Sequence, residues 1–157
     1  MKVIQYYHSP IGPIGIIEEE QAITRILYPG EILEEVVKEE ETSLLKEAKK
    51  QMDAYFANQL QQFDLPLRPV GTPFMQEVWK ALLDIPYGEL RSYKDIAEAV
   101  GRNKAYRAVG LANNRNPIPI IIPCHRVVGA NGKLVGYGGG LEIKEYLIEL
   151  EQKSVRD

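Results

Sequence analysis

Cys124 and His125 stand side by side in the stretch IIIPCHRVVG, residues 120–129. Cys124 is the only cysteine of 157 residues, and His8 is the only other histidine. Thiol beside base is the pairing that a nucleophilic centre needs. Only the thiolate attacks, and a free thiol is a few per cent ionised near neutrality. Adjacency alone does not separate this reading from a small buried hydrophobe. Pro117, Pro119 and Pro123 predict an extended path over buried isoleucines, with neighbouring side chains on opposite faces, so that direct contact of thiol and ring is not required and a bridging water fits the geometry. A lone cysteine excludes an internal disulfide, and so few sulfur and nitrogen ligands argue against zinc. Farther on, Gly136-Tyr137-Gly138-Gly139-Gly140 has little side-chain bulk. It is either simply flexible or a place where backbone amides approach a ligand.

These residues need elements to position them. Lys2–His8, Pro13–Glu19 and Ala22–Tyr28 are short β-branched or aromatic runs that predict a three-stranded antiparallel meander. Glu31–Glu41 reads as a helical turn or exposed loop, and Ser43–Phe56 has helical apolar spacing. LPLRPVG, 65–71, reads as the connection between a unit at 1–69 and one at 70–157. There, Thr72-Pro73 opens a helix with its stripe at Phe74, Val78 and Leu82, which Pro86 ends. Ser92 and Asp95 form a capping box for Tyr93–Val100, Gly101 stops it, and Asn103 is expected to cap a helix through Ala112. Two short helices so joined fit a helix-turn-helix, whose second helix normally enters a DNA groove. A last helix over Leu141–Gln152 is expected to bury Leu141, Tyr146, Leu147 and Leu150.

Charge supports a polyanionic partner. The chain is −3 overall, yet residues 1–69 carry −5 and residues 70–157 carry +2. Eight basic residues fall within 91–133 against Asp95 and Glu98 alone. On charge alone, a solvated basic face fits equally well; with the helix-turn-helix, DNA is the better reading. No apolar signal segment or membrane-length run is present, so a soluble cytoplasmic protein is expected, without membrane partners.

Taken together, GTPFMQEVWKALLDIPYGE, SYKDIA, RAVG, NPIPIIIPCHRVV and GYGGGL resemble the O6-alkylguanine-DNA alkyltransferases, or methylated-DNA–protein-cysteine methyltransferases, over Gly71–Glu151. PCHR preceded at matching distance by RAVG carries the specificity. The resemblance implies an α+β fold: a small ribonuclease-H-like antiparallel unit, then a mainly helical unit with a winged-helix-like helix-turn-helix. It implies Cys124 as alkyl acceptor, His125 as its base through a water, and Glu151 as the carboxylate holding the ring. Asn116 would brace the turn before the active-site segment. Tyr93 would lie near the extruded base, and Arg107 would be the finger filling its place. Lys104, Arg126 and Ala108 join Arg107 and Tyr93 as expected DNA contacts; Val127, Tyr137, Gly138 and Pro119 are expected to line the base pocket. Gly138 stands where many relatives have serine, which leaves only backbone recognition there. The zinc ligands of some relatives have no counterpart, and Cys124 separates the chain from the non-catalytic branch with tryptophan at this place.

The chemistry suits these residues. Dealkylating an aromatic ether by displacement needs a soft nucleophile, and the target atom lies inside the base stack, so the nucleotide must flip out. An alanine- and glycine-rich helix face around Arg107 suits minor-groove approach without sequence preference. The thioether product does not hydrolyse and no cofactor motif is visible, so a monomer acting once on double-stranded DNA, without cofactor or metal, is expected. O6-alkylguanine is the expected substrate, with O4-alkylthymine left open as a second; guanine is restored without strand cleavage. Two rivals remain: a regulator with an inert or redox-sensing thiol, and a Cys-His hydrolase.

Overall fold

The computed structural model describes residues 1–156, arranged as two compact units that divide between Pro69 and Val70. In the first, β1 (Lys2–Ser9), β2 (Gly12–Glu19) and β3 (Ala22–Leu27) form the expected antiparallel meander. Glu20 and Gln21 both take positive φ, 50° and 67°, the conformation that lets a two-residue hairpin follow the strand twist. The acidic stretch adds a short strand, β4 (Lys38–Glu39), parallel to β1, giving the order β3-β2-β1-β4. The sheet is therefore mixed rather than purely antiparallel.

Helix α1 (Ser43–Phe56) starts at Thr42, whose hydroxyl accepts from the Leu45 amide. It packs Leu45, Ala48, Met52, Tyr55 and Phe56 inward against β1 and β2. The proline-rich 65–71 stretch does more than connect. Ile23 donates to Pro66 and accepts from Arg68, so Leu67 pairs with the outer edge of β3.

In the second unit, α2 (Pro73–Leu83) is capped by Thr72 and buries Val78, Trp79 and Leu82. The indole of Trp79 donates to the Ala112 carbonyl at 2.9 Å. A two-residue strand, β5 (Arg91–Ser92), leads into α3 (Tyr93–Ala99) through the Ser92–Asp95 capping box. At the other end Gly101, φ +76°, donates to Glu98 while Arg102 donates to Ala97, the paired bonds of a Schellman stop. The chain then needs a further turn to reverse, closed by Ala105 on Arg102. As a result α4 runs Tyr106–Asn114 with no side-chain cap, later than Asn103 suggests. Helices α2, α3 and α4 pack on one another.

The proline-rich approach to Cys124 is not simply extended. Ile121 donates back to Pro119 around Ile120, a β-branched residue at φ +74°. Cys124 donates back to Ile122 around Pro123, at φ −81° and ψ 65°. Two γ-turns of opposite hand thus fold the isoleucines inward; the positive-φ one is strained. The single 3-10 turn Cys124–Arg126 follows, then β6 (Val127–Val128), which pairs parallel with β5. The last helix, α5 (Leu141–Arg156), buries Lys144, Leu147, Ile148 and Glu151. Leu141 and Tyr146 face outward instead, because the inward stripe follows i, i+3, i+4, i+7 from Lys144. Among the described residues, no helix is long and apolar enough to cross a membrane.

Candidate active site

Cys124, His125 and Arg126 occupy one 3-10 turn, closed by the Arg126 amide on the Pro123 carbonyl. Successive side chains on such a turn diverge by about 120°, not the 180° of a strand. Cys124 is 3 % exposed and His125 wholly buried. Two asparagines hold the turn: Asn113 of α4 donates to the Cys124 carbonyl at 3.2 Å, and Asn116 donates to Ile122 at 2.8 Å while accepting from Ile118. Asn116 therefore braces the segment, and Asn113 ties it to α4.

Glu151, on α5, collects the charge of the site. His125 Nε2 lies 2.6 Å from Oε2, Arg126 Nε donates to Oε1 at 2.8 Å, and Arg126 Nη2 donates to Oε2 at 3.2 Å. A fourth donor is the Gly88 amide, 3.1 Å from Oε1. Gly88 has φ +80°, and a Cβ there would meet Val155 at 2.8 Å, so only glycine lets this amide reach the carboxylate. Burial alone would raise the Glu151 carboxyl. His125 and then Arg126 outweigh burial and hold it well below the usual carboxylate range. Burial pushes His125 down, with Arg126 and Lys144 adding to that and Glu151 opposing it. With Glu151 ionised, Nε2 carries the proton and donates. The other ring nitrogen, Nδ1, is buried and has no hydrogen-bond partner among the described residues. A neutral imidazole so oriented is a base with its lone pair unspent.

Arg126 is not a DNA contact. It is 7 % exposed, its fork is spent on Glu151, and its Nη1 donates to the Ile85 carbonyl at 2.7 Å. A guanidinium committed inward cannot reach a phosphate. Arg107, Lys104 and Ala108, by contrast, are exposed on α4 and the turn before it.

Tyr93 opens α3 half-buried, and its hydroxyl donates to the Val135 carbonyl at 3.0 Å. Burial first and the Cys124 charge second raise its pKa, so it stays a phenol and a donor. Gly110 of α4 faces its ring, 3.8 Å from where a Cβ would stand. Val127 and Pro119 are buried, Tyr137 is partly buried and Gly138 is exposed in the loop after β6.

Asn113, Gly88 and Lys144 escape the sequence reading. Lys144 is wholly buried, donates to the same Val135 carbonyl at 3.1 Å, and lies 6.0 Å and 5.8 Å from the Tyr93 and Tyr137 ring centres. Burial lowers its pKa to about 8, partly offset by attraction to Cys124. The available signal was its register: Lys144 and Glu151 are seven apart, on one helix face with Leu147.

Nearly the whole chain matches known proteins. Residues 73–153 match the DNA-binding domain of 6-O-methylguanine DNA methyltransferase, and residues 2–69 match that protein's ribonuclease-like domain. The methylated-DNA–protein-cysteine methyltransferase of Methanosarcina barkeri is 52% identical over 151 residues, 94% of this chain and 96% of its own. The constitutive one of Bacillus subtilis is 49% identical over 164 residues, 98% and 99% of the two chains. Among solved structures, Mycobacterium tuberculosis OGT in complex with DNA superposes with a TM-score of 0.91 at 46% identity, covering 97% of this chain and 94% of that one. With both units matched and half the residues shared over nearly the full length, this chain belongs to the 6-O-methylguanine DNA methyltransferase family.

Proposed function

We propose that this chain repairs O6-methylguanine in double-stranded DNA by moving the methyl group onto Cys124, once per molecule. The observation that carries this is the buried Cys124–His125 turn, with His125 held by Glu151 of α5, in the same unit as a helix-turn-helix that exposes Lys104, Arg107 and Ala108. The thiol proton passes to His125 Nδ1, relayed by a water, while Glu151 stabilises the imidazolium that results. Sulfur attacks the methyl carbon, the carbon–oxygen bond breaks, and the electron pair leaves on the guanine oxygen. The Tyr93 phenol, turned from Val135 to the bound base, donates to a ring nitrogen and disperses that charge.

A methyl group inside a duplex cannot reach a buried thiol, so the nucleotide must leave the stack. Arg107, exposed at the start of α4, is the side chain suited to occupy the place it leaves. Exposed Lys104 and Ala108 flank it, the first for a phosphate and the second for close approach. The product is a thioether, which water does not cleave at a useful rate, so the protein acts as a stoichiometric reagent.

Titration of O6-methylguanine duplex against protein, read by intact-protein and peptide mass spectrometry, tests the reading. One CH2 of added mass, on the Cys124 peptide, saturating at one per chain, is expected. Cys124→Ser should gain none while still binding DNA. Repeated turnover, or the mass on another residue, would overturn it.

A further inference from the structure

Glu151 is shared between His125, which meets one of its oxygens, and Arg126, which meets both. The guanidinium binds both carboxylate oxygens, at 2.8 Å and 3.2 Å, and is itself fixed by the Ile85 carbonyl and by the Tyr87 ring, 5.7 Å from the guanidinium carbon. Glu151 also accepts from Gly88. A carboxylate alone with an imidazole at 2.6 Å, out of water, would favour the imidazolium. A protonated ring is no base.

We propose that Arg126 is the positioning residue that keeps His125 neutral and therefore able to accept the Cys124 proton. The charges facing His125 are few: Glu151 and Lys144 from α5, and Arg126 beside it on the turn that also carries the Cys124 thiol. Arg126 and Glu151 already cancel. A resting imidazolium would leave the buried cluster positive, with the Lys144 ammonium adding to the excess. When the proton comes from Cys124 instead, a thiolate appears with the imidazolium and the net charge is unchanged. Arg126 thus makes proton acceptance conditional on thiolate formation. The same side chain that local composition assigns to DNA acts wholly inside the protein.

This inference rests on His125 acting as the base, and its first test does not depend on methyl transfer. With only His8 and His125 in the chain, both rings can be assigned by nuclear magnetic resonance and titrated. Wild-type His125 should be neutral at pH 7, protonated on Nε2 alone. Arg126→Met should raise its titration midpoint, and Arg126→Lys, which keeps the charge, should leave it near the wild-type one. A doubly protonated His125 in the wild-type protein at pH 7 overturns the proposal, whatever the variants do. So does an unmoved midpoint in folded Arg126→Met.

Single-turnover rates give the second arm. Between pH 8 and pH 6, Arg126→Met should lose about tenfold more rate than wild type, the size of one unit of displaced protonation. A merely structural arginine would slow transfer equally at both pH values, and that outcome counts against the proposal. Absence of transfer in the wild-type protein would instead refute the repair reading, leaving the titration to judge Arg126.

Discussion

Arg126 and Arg107 share a side chain and a unit but lie in opposite surroundings. Arg126 is sealed against Glu151, Ile85 and Tyr87, with Nε, Nη1 and Nη2 each donating to a fixed acceptor. Arg107 stands exposed on α4 and makes no ion pair among the described residues. The difference follows from what each region must do. A buried charge is tolerated only when paired and hydrogen-bonded, so the chemistry of the active-site turn is assembled before any substrate arrives. A side chain that is to enter DNA must stay uncommitted, since an internal partner would have to be given up on binding. Preassembly inside and availability outside are two solutions of one electrostatic problem.

Substitution of Glu151 attacks the preassembled side and should have the largest effect. Glu151→Gln leaves Arg126 buried without its counter-ion, costing about 3–5 kcal/mol of stability. It also removes the anion that stabilises the imidazolium, so transfer should slow about a hundred- to a thousandfold in the protein that still folds. The sign with pH is fixed by the depressed Glu151 carboxyl. Its stabilisation is fully present above the ordinary carboxylate range and is lost as pH falls through and below it. Denaturant titrations at several pH values should therefore show wild type and variant far apart near neutrality and converging in acid. A constant gap would mean that the lost stability was packing, not charge.

Arg107→Ala attacks the available side and should spare the chemistry. Unstacking a base costs a few kcal/mol, so an unfilled gap should slow duplex repair by about ten- to a hundredfold at saturating protein. Free O6-methylguanine needs no extrusion and should react at nearly the wild-type rate. Recovery of the duplex rate at saturation would reduce Arg107 to a phosphate contact. Equal losses on both substrates would erase the division between the two regions altogether.

How far the sequence exposes each region follows the same division. Spacing alone located α1 from Ser43 to Phe56, because its inward stripe is apolar throughout and its cap is a threonine. The Ser92–Asp95 capping box was equally legible, being purely local. PCHR pointed to the thiol and its neighbour, and Lys104, Arg107 and Ala108, expected as DNA contacts, are exposed. Arg126 was placed among the DNA contacts and Lys144 was passed over, since composition treats every basic side chain as surface until a buried partner is known. Lys144 also shifted the inward face of α5 away from Leu141 and Tyr146. The γ-turn at Ile120 left no signal either, because isoleucine at positive φ is what local preference forbids. Long-range pairing decides such cases, and a linear pattern does not contain it.

Tyr93 sits between the two regions and should give the smallest effect. Its hydroxyl already has an acceptor, the Val135 carbonyl, and Lys144 donates to the same oxygen. Tyr93→Phe therefore leaves that carbonyl satisfied and keeps the ring that packs beside Gly110, so folding should barely change. What disappears is the donor to the leaving base. Because Tyr93 remains a phenol through neutral pH, the wild-type donor is always present, and the variant's deficit should not vary between pH 6 and pH 8. Loss of one donor that strengthens in the transition state should slow transfer about tenfold. The loss should be the same on duplex and on free O6-methylguanine, since it concerns the reacting base and not its extrusion. Single-turnover measurement on both substrates separates it from Arg107. A deficit confined to duplex would move Tyr93 from the chemistry to the DNA-binding surface.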